Sequence, residues 1–178
     1  MRTTDEDTVF GRYFIEYATN SILGQKLTWS AINHLLLRIP GDPWTRSGAG
    51  PRPARVFSAR DVVVFLLSYE LSVLIPSVYH RQAMVKLVSD SWDIMATPVC
   101  FVGSISGGEF AVRVVPNEKI STDVLADGAL PFFTVTSRHV LYLLDKVWAC
   151  AQTYEDTYRL HGLRWNQLKG TVTEKEAP

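Results

Sequence analysis

Residues 45–62 place the tightest constraint on how this chain folds. The run Thr45-Arg46-Ser47-Gly48-Ala49-Gly50-Pro51-Arg52-Pro53-Ala54-Arg55 holds two glycines and two prolines between positions 48 and 53. Glycine costs backbone entropy and proline removes an N–H, so no helix passes through it. The loop carries three arginines and no acid, and leads directly into Val56-Phe57-Ser58-Ala59-Arg60-Asp61-Val62. Ser58 is a natural N-cap, because its hydroxyl can accept from a free backbone N–H one turn on. Asp61, three residues later, extends the capping box and suits the positive helix end.

A length of 178 residues suits one domain, or one small domain with an appendage. The formal net charge is zero, but its distribution is uneven. Between Asn20 and Arg60 the bases are Lys26, Arg38, Arg46, Arg52, Arg55 and Arg60 and the only acid is Asp42, a balance of +5 that the remainder offsets at −5. Charge concentrated in one segment is the footprint of a nucleic-acid-binding module joined to something acidic. No apolar stretch reaches the roughly 18 residues of a membrane span. The polar start, Met1 to Asp7, does not read as a signal peptide. The expected location is the cytoplasm, away from any membrane, with Cys100 and Cys150 as buried thiols.

Little points to catalysis. His34, His80, His139 and His161 are scattered outside any metal-ligand spacing. Gly103-Ser104-Ile105-Ser106-Gly107 has isoleucine where a nucleophile elbow needs serine, and no glycine loop ends in Gly-Lys-Ser/Thr. The chain is expected to be no enzyme and to need no metal or cofactor.

Apolar spacing predicts a helix over 9–23 through Phe10, Phe14, Tyr17, Ala18 and Ile22, closed by Gly24. Thr28 caps a second helix to about Ile39, stopped by Pro40-Gly41-Asp42-Pro43. Helices follow over 58–74 and 77–92. Residues 98–103 and 109–115 read as a β-hairpin around Gly107-Gly108, Phe132 to Val135 adds a strand, and a short element lies near Val124. Ser137 caps a long helix to about Leu160, ended by Gly162, and 169–178 reads as a disordered tail. The fold class is α+β, mainly α, with a boundary near 91–98.

The stretch from Leu27 to Ser89 resembles the MerR-like winged helix-turn-helix family. There a two-helix unit precedes a wing, followed by Arg-x-Tyr/Phe-Ser-x-x-Asp-Val/Leu and an apolar helix. The matching residues are Arg55, Phe57, Ser58, Asp61 and Val62, in a motif of moderate specificity, and the resemblance as a whole covers about a third of the chain. The resemblance implies an N-terminal winged helix-turn-helix over 9–92 that binds double-stranded DNA. It implies a hairpin-plus-long-helix module over 93–168 that dimerises or receives a protein partner, as in variant MerR-like antitoxins and phage or plasmid regulators.

On that reading Lys26, Thr28, Ser30 and Asn33 stand at the start of the recognition helix, where bases and phosphates are met. Arg38, Arg46, Arg52, Arg55 and Arg60 meet the backbone or minor groove. The stripe Val140, Leu144, Val147, Trp148, Ala151 and Tyr154 pairs two copies or holds a partner. The expected function is a DNA-binding transcriptional regulator, a repressor acting as a homodimer. The alternative is a protein-interaction module that uses a degenerate winged helix without binding DNA.

Overall fold

A computed structural model describes residues 9–39, 45–47, 54–106, 108–120 and 130–160. They form β1 (Val9–Phe10), α1 (Arg12–Leu23), α2 (Trp29–Leu36), β2 (Thr45–Ser47), β3 (Ala54–Ser58), α3 (Ala59–Leu74), α4 (Val78–Asp90), β4 (Val99–Ser106), β5 (Glu109–Pro116), β6 (Leu130–Thr136) and α5 (Ser137–Leu160). The architecture is mixed α+β and mainly helical. By contacts the chain divides into a unit within 1–66 and 144–178 and a second unit over 67–143, so the expected boundary near 91–98 falls inside the second. The element expected near Val124, Gly162 and the tail 169–178 lie outside the described residues.

In the first unit, β1, β3 and β2 form an antiparallel sheet in that order. The first helix starts at Arg12, not Val9, because Val9 and Phe10 pair with Ser58 and Phe57 as a strand. Phe10 still reaches Phe14, with ring centroids 4.1 Å apart, so their spacing of four imitates a helix. Gly24 closes α1 in the left-handed conformation at φ 64°. Thr28 caps α2 by accepting from Ala31 N–H. That helix ends at Leu36 rather than Ile39, since Arg38 and Ile39 bond back only three residues, to Leu35 and Leu36.

Val56 to Ser58 belong to β3, so the next helix begins at Ala59. Ser58 N–H donates to Asp61 Oδ2 at 2.8 Å, and Asp61 N–H donates to Ser58 Oγ at 3.2 Å. This is the reciprocal capping box the sequence signals. Residues Val62 to Leu67 are consecutively buried, so α3 is enclosed on all sides there.

In the second unit β4 is the central strand between β5 and β6, both antiparallel to it. Ser106 pairs with Glu109 across a two-residue turn, in which Gly108 takes φ 85°. Phe133 is the register partner of Gly103, and its ring occupies the space a Cβ would fill. Helix α4 packs on β4 and β5, with His80 stacked on Phe110 at 3.8 Å. Arg81 donates to the carbonyls of Ser72 and Ile75 at 3.3 and 3.0 Å, fixing the corner between α3 and α4.

Ser137 does not cap the long helix. Its hydroxyl donates to Thr97 O at 2.8 Å and accepts from Val99 N–H at 3.2 Å, tying the start of α5 to β4. The cap is Thr136, whose Oγ1 accepts from His139 N–H at 3.1 Å.

Candidate nucleic-acid interface

The candidate surface is built on the α1–α2 pair and the β2–β3 hairpin of the first unit. Asn20 sets the turn between the helices: its amide donates to Leu27 O at 3.1 Å, and its Oδ1 accepts from Leu27 N–H at 2.7 Å. Ile32 and Leu36 anchor the inner side of α2 in the core. Trp29 meets Phe57 edge-on at 6.4 Å, joining α2 to β3. Phe57 is fully enclosed.

With the inner side anchored, the outer side of α2 is defined. Lys26, Thr28, Ser30 and Arg38 are exposed, and Asn33 is half-buried. Sequence reasoning passed over His34, which is exposed between Ser30 and Arg38. Ser30 and His34 stand four apart within α2 and share one ridge, while Arg38 follows in the tighter turn just past the helix end. That spacing was the available signal, hidden by the search for metal-ligand patterns. The helix spans eight residues, about 12 Å at 1.5 Å per residue.

The hairpin brings basic positions together. Thr45 pairs with Val56, Arg46 with Arg55 and Ser47 with Ala54. Arg52 and Trp44 lie outside the described residues. Arg60 is exposed at the start of α3, beside the capping box. Burial raises the Asp61 carboxyl above the ordinary aspartate value, against the lowering effect of the Ser58 bonds and of Arg60.

The α5 stripe has a different use from the one expected. Val140, Val147, Ala151 and Tyr154 are buried within this chain, while Leu144 and Trp148 are half-buried. Trp148 meets Phe10 edge-on at 5.8 Å, and Tyr154 meets Phe14 at 5.6 Å and Tyr17 at 5.0 Å. The face expected to meet a second copy is thus largely taken up by the chain's own packing.

Among the described residues, no group of three His, Cys, Asp or Glu side chains is placed to hold a metal, and no helix is long and apolar enough to cross a membrane. Burial pushes the thiols of Cys100 and Cys150 up, with Lys146 opposing the effect at Cys150, which keeps both protonated near neutral pH. No family model matches the chain, and a search of curated proteins finds no match either.

Proposed function

We propose that this chain is a transcriptional regulator that binds double-stranded DNA in the manner of MerR-like winged helix-turn-helix proteins, a repressor acting as a dimer in the cytoplasm. It works by binding rather than catalysis and calls for no cofactor. The observation that carries the reading is the register of Arg46 against Arg55 in β2–β3. Like charges directly opposed across an antiparallel pair disfavour it. A phosphate backbone at the hairpin offsets that repulsion and gives the pairing a purpose.

Two further features support the reading. A two-helix unit precedes the hairpin, and the short strand β1 completes a sheet in the order β1-β3-β2. Ser30 is the second residue of the capped α2 and His34 lies one turn further on, in the part of a recognition helix that meets base edges, with Arg38 exposed just past its end. A single module of this size holds DNA with little specificity, and a two-fold dimer doubles its contacts.

The test is fluorescence anisotropy with a random-sequence duplex at low and moderate salt, with light scattering on the same sample. Salt-sensitive binding by a dimer supports the proposal. Absence of binding at low salt rejects it in favour of a protein-interaction module. One observation favours that second reading: Val73, Leu74, Val78 and Tyr79 form an exposed apolar corner where α3 gives way to α4.

A further inference from the structure

Helix α1, the turn after it and Tyr154 border an open cavity of about 750 Å³ in the first unit. That volume lies within the range of small-molecule sites. Tyr17 supplies a half-buried aromatic wall, backed by the buried Tyr154 ring 5.0 Å away and inclined at 42°, and Tyr13 stands exposed at the rim with the Arg12 guanidinium 4.4 Å from its ring centroid. The rim is preformed, because the two Asn20–Leu27 hydrogen bonds hold the turn that carries Lys26. Glu16 and Lys26 bring one charge of each sign to the lining.

We propose that this cavity binds a small planar aromatic acid that also carries a hydrogen-bond donor. The ring packs against the tyrosines, as aromatic faces favour offset or tilted contact. The ligand carboxylate meets the Lys26 ammonium in a charge-assisted hydrogen bond, and its donor meets the Glu16 carboxylate. Lys26 is also the residue assigned to a DNA phosphate beside α2. Ligand and DNA therefore draw on one ammonium group, and the ligand acts as an anti-DNA effector. This coupling rests on the DNA-binding reading, whereas the ligand site stands on the cavity alone.

The probe is indole-3-acetate, titrated calorimetrically into the full chain, with uncharged indole for comparison. Saturable binding is expected. Ser21→Trp places a large ring at an exposed lining position outside the DNA-binding set, and is expected to weaken binding about tenfold or more at unchanged melting temperature and duplex affinity. Lys26→Gln is expected to weaken indole-3-acetate about tenfold and to leave indole unaffected. Lack of saturable binding, or wild-type binding by Ser21→Trp, overturns the site. With DNA present, saturating indole-3-acetate is expected to lower duplex affinity and to reduce the log–log salt slope by about 0.9. Duplex affinity indifferent to the acid overturns the coupling. A chain that binds no duplex even without ligand overturns it through the DNA reading, and calorimetry then decides the cavity independently.

Discussion

Ser58 and Asp61 hold each other from both sides at the junction of hairpin and helix. The backbone N–H and the hydroxyl of Ser58 each donate to Asp61 Oδ2 at 2.8 Å, and Asp61 N–H donates back to Ser58 Oγ at 3.2 Å. This fixes where β3 stops and α3 starts, and so aims the hairpin relative to the helix. Ser58→Ala removes two of the three bonds and is expected to cost about 1–2 kcal/mol in urea denaturation. A loss within the error of the extrapolation contradicts the role.

The same carboxyl predicts a pH effect. Its folded value is raised above 3.8 chiefly by burial. Protonation is therefore favoured by folding: the stability it contributes is fully present below the unfolded value and is lost as pH rises through the folded one. Asp61→Asn lacks this titration. Urea midpoints measured across the acidic range should show the variant gaining on the wild type as pH rises. A constant difference, or one of opposite sign, contradicts the burial argument.

Ser137 and Thr136 separate a tertiary bond from a local cap. Ser137→Ala removes two hydrogen bonds, while Val99 N–H keeps its bond to Thr97 O at 2.9 Å, and is expected to cost about 1–3 kcal/mol at roughly 0.5–1.5 kcal/mol per bond. Thr136→Ala removes a helix cap, at about 1 kcal/mol. Thermal melts of both variants test the ordering; a Ser137→Ala variant that costs less than Thr136→Ala contradicts it.

Gly103→Ala puts a Cβ 2.6 Å from Cζ of Phe133. The clash is expected to cost about 1–3 kcal/mol. Adding Phe133→Ala removes the obstructing ring, so the double variant should lose less than the two single losses combined. Strict additivity in chemical denaturation contradicts the packing.

What was legible in the sequence was what short-range chemistry dictates. Ser58 with Asp61, Thr28 before α2 and Gly24 after α1 each announce a helix end by side-chain capping or by the freedom to take positive φ. Positions settled by distant partners were not legible. Val9 and Phe10 form a strand because β3 lies beside them, and Ser137 gives up its cap for Thr97 and Val99, about 40 residues earlier. The α5 stripe was visible as a stripe, but periodicity does not say whether a helix meets its own chain or another. In the candidate interface, Lys26, Thr28 and Ser30 were legible as polar residues around a capped start. His34 joined them only once Ile32 and Leu36 were seen to face the core.

The central claim is that the hairpin arginines grip a phosphate backbone. The most direct measurement is the salt dependence of duplex affinity for the wild type, Arg52→Ala and Arg55→Ala, by fluorescence anisotropy on several unrelated sequences. The account predicts weaker binding by a similar factor on every sequence, with the log–log salt slope reduced by about 0.9 in each variant. Undiminished affinity with an unchanged slope in both variants contradicts it.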